Sequence, residues 1–230
     1  MKALFTTLSI IASAAIFSAC GSIKGSGSTD GKETGSQNSA ALKKQLTILV
    51  VDALGLDETI DSVSESAKIK VDLPKQWSEV KTFAGTIGLT EQVTKIEKNV
   101  DTITSDLGKA AVPHLKAAIE KMTLVDALSI VNSDSKSSLT EYLRKSSGAS
   151  VVNQVKPEIA TGLNKSGVND MWNNVVPKYN TAVKLLGKEQ MPTDLNQFLS
   201  DKSVDVIFKK IADKESEWRT DGKWKQVFKK

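Results

Sequence analysis

Apolar residues recur at steps of three and four along most of the chain, which is the spacing of one face of an α-helix. The clearest run consists of Val93, Ile96, Val100, Ile103 and Leu107. The stretch from Leu42 to Ala53 has the same period. We therefore predict an all-α protein, built as an irregular or orthogonal bundle of many helices.

The run from Val93 to Leu107 has two interpretations. It is either a core-facing stripe within the bundle or the seam of a dimerising coiled coil. Because the run covers only two to three heptads, whereas coiled coils are sustained over at least about three to four, the core-facing stripe is favoured.

One short stretch departs from the helical period. Apolar and polar residues alternate in the order Ile69, Lys70, Val71, Asp72, Leu73 and Pro74. A period of two is typical of extended chain, and a residue that precedes proline is biased away from helix. We predict one short extended segment near residues 69–74, with its apolar side chains facing the bundle and no sheet.

Polar motifs and helix-breaking residues predict the helix boundaries in the second half of the chain. Thr123 followed by Asp126 has the spacing of a capping box, and Ser138 followed by Glu141 has the same spacing. Breaks or kinks are predicted at Pro113, Gly148, Pro157 and Pro177.

The N-terminal residues have the pattern of an export signal. Lys2 precedes an apolar run that ends at Phe17 and is shorter than the roughly 20 residues needed to span a bilayer. The sequence Phe17-Ser18-Ala19-Cys20-Gly21 resembles a lipobox, so we predict a lipoprotein signal peptide over residues 1–19 and lipidation of Cys20. The alternative is an ordinary signal peptide cleaved after Ala19. Lipidation is favoured because the chain has one cysteine and Cys20 therefore has no disulfide partner.

Residues 20–39 are rich in glycine and serine and nearly free of apolar residues, which is typical of a flexible tether. Such a tether has a reach of about 25 Å. The predicted organisation is therefore a signal peptide (1–19), a lipidated cysteine with a tether (20–39) and a single α-helical domain (40–230). We expect an exported, lipid-anchored protein. By resemblance to the sorting rules of diderm lipoproteins, Ser22 at the second mature position favours the outer membrane, on its periplasmic face or its surface.

Composition and charge exclude several function classes. The chain has 31 basic and 27 acidic residues and a net charge of +4, without a basic block interleaved with aromatics in its body, so we expect no nucleic-acid partner. With one histidine, His114, and one cysteine, the chain lacks the residues for a His/Cys metal site or a Cys/His nucleophile. We expect no metal and no cofactor. The basic, aromatic C-terminus with Trp218 and Trp224 is either a surface for lipid or cell-wall polymer or, as favoured by its interspersed acidic residues, the polar face of a docked helix.

The order of several motifs resembles a known family. These motifs are Val71–Pro74, Gly88–Thr90, Met122–Leu128, Leu139–Arg144, Val155–Pro157, Leu163–Val168, Tyr179–Asn180, Asp194–Leu199, Val204–Ala212 and Val227–Phe228. They resemble the exported bacterial family described as domain of unknown function 4197, over about residues 40 to 230. The resemblance implies an α-helical, exported and often lipid-anchored domain with no assigned activity.

Within or near these motifs, aromatic and hydrogen-bonding residues are candidates for a pocket or an interaction site between helices. The candidates are Tyr142, Arg144, Trp172, Tyr179 and Asn180. The alternative interpretation is that the aromatic residues are ordinary core residues with bonded polar tips.

Three functions are compatible with this sequence. The favoured one is a non-enzymatic binding or structural module, tethered to the membrane through its acyl anchor, with an envelope protein or a cell-wall component as partner. The second is a carrier of a small or lipidic ligand in an inter-helix pocket, which would require a closed apolar cavity. The third is a carboxylate-dependent hydrolase, which would require two buried carboxylates that face each other.

Overall fold

The computed structural model describes residues 30–56 and 68–228, with side chains described from Ser39 onward. The helices are α1 (Asp30–Ala53), α2 (Trp77–Thr86), α3 (Thr90–Thr104), α4 (Leu107–Lys121), α5 (Leu124–Asn132), α6 (Ser138–Lys165), α7 (Val168–Leu185), α8 (Leu195–Thr220) and α9 (Lys223–Phe228). No strand occurs in these described ranges. The all-α prediction is confirmed. The signal peptide and Cys20 lie outside the described residues.

The two longest helices of the second half, α6 and α8, pack along each other at the centre of the bundle. Helix α4 packs on α6, α1 packs on α8 and α4, and α3 packs on α7 and α6. Their buried apolar residues form one continuous cluster that extends from Leu46 to Trp224. Each fully buried large aliphatic side chain contributes about 1.5–3 kcal/mol. Among the helices of the described chain, none is long and apolar enough to cross a membrane.

Helices continue through residues that the sequence analysis treated as breaks. Gly148 and Pro157 both lie inside α6, and Pro177 lies inside α7. The predicted interruptions at Gly148 and Pro177 are therefore wrong. A proline inside a helix costs about 3 kcal/mol. In α6 the burial of Val151 and Val155 on the same helix outweighs that cost.

The predicted helix starts have different outcomes in the structure. The Thr123 hydroxyl accepts a hydrogen bond from the Asp126 N–H at 3.1 Å and the Asp126 carboxylate accepts one from the Thr123 N–H, so the predicted capping box is confirmed. The second predicted box is wrong, because α6 has no cap from a neighbouring side chain. Helix α1 begins at Asp30, nine residues before the start predicted near Ser39, so residues 30–39 of the predicted tether are helical. The early start was not predicted because these residues are polar and give no apolar period.

The regular apolar run faces the core, as favoured. Val93, Ile96 and Val100 are buried on α3. The last residue of the run, Leu107, begins the next helix.

The segment from Ile69 to Pro74, which we call the strap, is neither helix nor strand. Ile69 and Val71 are buried and Leu73 packs on the core, while Lys70 and Asp72 are exposed. This alternation confirms the predicted extended segment.

The end of α3 holds the first residue of the strap. The Ile69 N–H donates to the Ser105 carbonyl oxygen at 3.0 Å. The Ile69 carbonyl oxygen accepts from the buried Thr104 hydroxyl at 3.1 Å.

Candidate functional site

The two candidates on α6 lie in different environments. Tyr142 lines a shallow surface pocket that includes Asp126. Burial and the charge of Asp126 raise the pKa of Tyr142. Arg144 instead reaches α8, where its guanidinium pairs with Asp205 at 3.0 Å and lies 4.7 Å from the centre of the Phe208 ring. The pair is half exposed and is therefore worth little.

Trp172, on α7, is a buried anchor for the loop between α7 and α8. Its ring stacks on Trp77 of α2 with the centroids 5.5 Å apart. Its Nε1–H donates to the carbonyl oxygens of Pro192 and Thr193, both at 3.2 Å. The indole thus has the partner that a buried tryptophan requires.

Asn180 holds the same loop at Met191, one residue before Pro192. Its Oδ1 accepts from the Met191 N–H at 2.7 Å, and its Nδ2 donates to the Met191 carbonyl oxygen at 2.9 Å. The side chain is buried, so both bonds satisfy groups that have no access to solvent.

Tyr179 connects α7 to α2. Its ring meets Phe83 edge to face, and its hydroxyl donates to Glu79 at 3.3 Å. Burial, followed by the charge and hydrogen bond of Glu79, raises the pKa of Tyr179. Lys188 lies 3.0 Å from Glu79 and lowers the pKa of that carboxyl through its hydrogen bond and charge.

The five candidates therefore do not converge on one pocket, and the three on α7 are placed as core residues with bonded polar ends.

A buried polar network, centred on Glu215 of α8, caps the start of α6. The fully buried carboxylate accepts hydrogen bonds from the N–H groups of Leu139 and Thr140 at 3.0 and 2.9 Å. The Thr140 hydroxyl adds a bond at 2.9 Å, and Arg219 pairs with the carboxylate at 2.9 Å. A negative charge at a helix N-terminus is also favoured by the helix dipole.

Arg219 extends this network to α5 and α9. It donates to the carbonyl oxygens of Ile130 and Ser133 at 3.0 and 2.9 Å. Its guanidinium lies 3.6 Å from the centre of the Trp224 ring, whose Nε1–H donates to the Val131 carbonyl oxygen. The aromatic residues of the C-terminus are therefore internal, in agreement with the docked-helix interpretation.

This network was not predicted from the sequence, although one signal for it was present. Glu215 lies on the apolar stripe of α8, four residues after Ile211 and three before Trp218, where an acidic residue requires a buried partner. Glu215 is the one buried carboxyl among the residues that the structure describes. Its oxygens are already bound by backbone and side-chain donors.

His114 lies on α4 with its Nε2 3.3 Å from Gln154 Oε1. The described ranges contain no group of three or more His, Cys, Asp or Glu residues arranged to hold a metal.

The strap is bordered by surface grooves on both sides. The larger one, which we call the strap groove, encloses about 550 Å³ between the strap and α8 and is open to solvent. Phe198, Lys202 and Val206 form its α8 wall, and the loop residues Glu189 and Pro192 close one end.

A second groove lies on the α3 side of the strap. It encloses about 440 Å³ and is lined by Val71 to Leu73 together with Trp77, Glu97, Val100 and Asp101. A third, of about 370 Å³, begins at Lys75 and includes Tyr179 and Lys188. The grooves meet at the strap and the residues that follow it.

Comparison with known proteins gives one family. No curated protein and no solved structure matches the chain. The model of the family described as "Protein of unknown function (DUF4197)" matches residues 32–227. This match covers most of the chain, which therefore belongs to that family.

Proposed function

We propose that this protein is an exported, lipid-anchored module of the cell envelope whose helical domain binds a partner without catalysing a reaction. The observation that carries the binding role is the strap groove, an open groove lined by apolar and charged residues. The polar side chains of Glu215 and Asn180 are by contrast buried and already bound within the protein.

The anchor is supported by the sequence. Cys20 follows an apolar run and two small residues, and the Gly/Ser-rich stretch between it and the start of α1 has the composition of a tether. Two or three acyl chains give stable membrane attachment where one does not. A tethered domain can meet an envelope protein or a cell-wall component while it stays at the membrane.

The anchor is tested by intact mass and detergent partitioning of the protein expressed in a bacterium, with Cys20→Ala as the matched variant. We expect the wild type to gain the mass of acyl chains and to enter the detergent phase. The variant should lose both properties. A wild-type product that is cleaved after Ala19 and remains in the aqueous phase would refute the anchor.

The binding role is tested with a photo-crosslinking amino acid placed in living cells at Lys202, in the strap groove, or at Lys136, an exposed residue of the α5–α6 loop. We expect discrete crosslinked products from position 202 and none from position 136. Equal crosslinking at both positions, or none at position 202, would contradict the proposed use of the groove.

A further inference from the structure

We propose that the strap groove binds an extended, acidic peptide segment of another protein, which pairs with the strap as an added β-strand. This inference rests on the proposed function, because it names the chemical class of the partner for the same groove. It follows from the direction of the strap's backbone groups, from the apolar wall opposite them and from the charges around them.

The direction of the backbone groups follows from the bonds of Ile69. In an extended chain, the N–H and C=O of one residue point to one side, and those of the next residue point to the other. Both backbone groups of Ile69 bind the end of α3, at Ser105 and Thr104. The backbone groups of Lys70 and Asp72 therefore point to the opposite side, toward α8 and the strap groove.

These backbone groups have no partner in the described part of the chain. Neither the N–H nor the C=O of Lys70 or Asp72 makes a hydrogen bond there, whereas Ile69 makes two. The backbone groups of Val71 are also unbonded there, but they point to the α3 side of the strap, like those of Ile69. Two donors and two acceptors, spaced by two residues, form the open edge to which an extended peptide adds in strand addition. Main-chain bonds supply affinity in this mode, and side-chain pockets supply specificity.

The wall opposite this edge is suited to alternate side chains of a peptide. Phe198 and Val206 of α8 are partly buried against the core and line the groove at positions two helical turns apart. A strand paired with the strap would direct every second side chain to one face, where such apolar residues can cover it.

The charges of the groove favour an acidic partner. Its lining includes the basic Lys70, Lys75 and Lys202 and the acidic Asp72 and Glu189, an excess of one positive charge (3 − 2). The Lys75 amine is paired with Glu189 at 2.7 Å. Lys70 and Lys202, on opposite sides of the groove, have no ion pair within the described ranges.

The test uses the mature protein purified in detergent and a fluorescent eight-residue peptide of alternating Glu and Val. Anisotropy should show saturable binding below about 1 mM. A peptide of alternating Lys and Val should not bind. The acidic peptide with N-methyl groups on alternate residues, which cannot donate the ladder hydrogen bonds, should bind about tenfold more weakly.

Two variants at one position separate backbone from side chain. Asp72→Pro removes an edge N–H in a segment that is already extended and should weaken binding about tenfold, whereas Asp72→Ala keeps the N–H and should change it by less than about threefold. Lys202→Glu, on the exposed face of α8, should also weaken binding. If Asp72→Pro fails to fold, the N-methylated peptide still tests the backbone contribution.

Hydrogen exchange at the strap amides tests directly whether the peptide pairs with the strap. Binding of the acidic peptide should slow exchange at the Lys70 and Asp72 amides and leave Val71 unchanged. Absence of binding, equal binding of the N-methylated peptide, or displacement of the peptide by inorganic phosphate alone would overturn the proposal. Crosslinking at position 202 without peptide binding would remove this inference and keep the proposed function, whereas an unlipidated chain would remove the anchor and leave the peptide result intact.

Discussion

The two halves of α8 border regions that differ in how their polar groups are used. In the C-terminal half, Glu215 and Arg219 are buried together and bind backbone groups of α5 and α6. In the N-terminal half, Lys202 faces an open groove, and the strap across from it leaves its edge unpaired. Lys202 and Glu215 are thirteen residues apart, which corresponds to about 20 Å along the helix.

This difference separates stability from recognition within one helix. A buried polar group that loses its partner costs about 1–3 kcal/mol, and more when it is charged, so the Glu215 network constrains the fold. An unpaired group that is still hydrated costs little, so the strap edge can remain open in the free protein. Solvated polar groups next to apolar surface are therefore better candidates for function than the strongest internal bonds.

The largest effect should come from Glu215→Ala. This change leaves the Arg219 guanidinium buried without its carboxylate partner and the N–H groups at the start of α6 without their cap. Removal of one partner of a buried pair typically costs about 3–5 kcal/mol. Urea unfolding should show this loss in the free energy of unfolding. Glu217→Ala is the matched control, because Glu217 is exposed on the same helix and should change stability by less than about 0.5 kcal/mol. Equal losses in the two variants would contradict the role of the network.

A smaller effect is expected at Asn180. Its buried side chain is hydrogen-bonded to Met191, in the loop that borders the strap groove. Asn180→Ala leaves the N–H and C=O of Met191 without partners and should cost about 1–3 kcal/mol, less than the charged network. Exchange at the Met191 amide should become faster. Thr181→Ala is the control, since its hydroxyl binds only within α7, to the Pro177 carbonyl oxygen. An unchanged Met191 amide would show that the loop is held by other contacts.

The features that the sequence predicted correctly are encoded locally. The Thr123 capping box needs residues three apart, and the extended strap is visible as an alternation over six residues. Gly148 misled the prediction of a helix end, because the energy that keeps α6 continuous comes from burial against α4 and α8.

The candidate site was harder to predict from the sequence than the capping box and the strap. The cap of α6 joins residues 75 positions apart, Thr140 and Glu215. The strap groove brings Lys70 close to Lys202, and no local pattern indicates which helix faces the strap. Trp172 and Asn180 stood out because of their residue types, but residue type alone does not distinguish a loop anchor from a pocket wall.

The smallest effect should be the pH dependence of the Asp126 cap, which is the exposed counterpart of Glu215. Hydrogen bonds from the Thr123 hydroxyl and N–H lower the pKa of Asp126 below its ordinary value of 3.8. A lowered folded-state pKa gives stability that is present above pH 3.8 and is lost as the pH falls through the folded value.

The measurement is the thermal unfolding midpoint of the wild type and of Asp126→Asn as a function of pH. The wild type should be the more stable of the two at neutral pH, and the difference should disappear on acidification below the folded pKa of Asp126. Asp134→Asn, in the exposed loop after α5, is the control and should show no such convergence. A difference that persists unchanged into acid would mean that the cap depends on the shape of the side chain and not on its charge. In that case Asp126 and Glu215 would differ in kind, since the buried cap would still require its charge to balance Arg219.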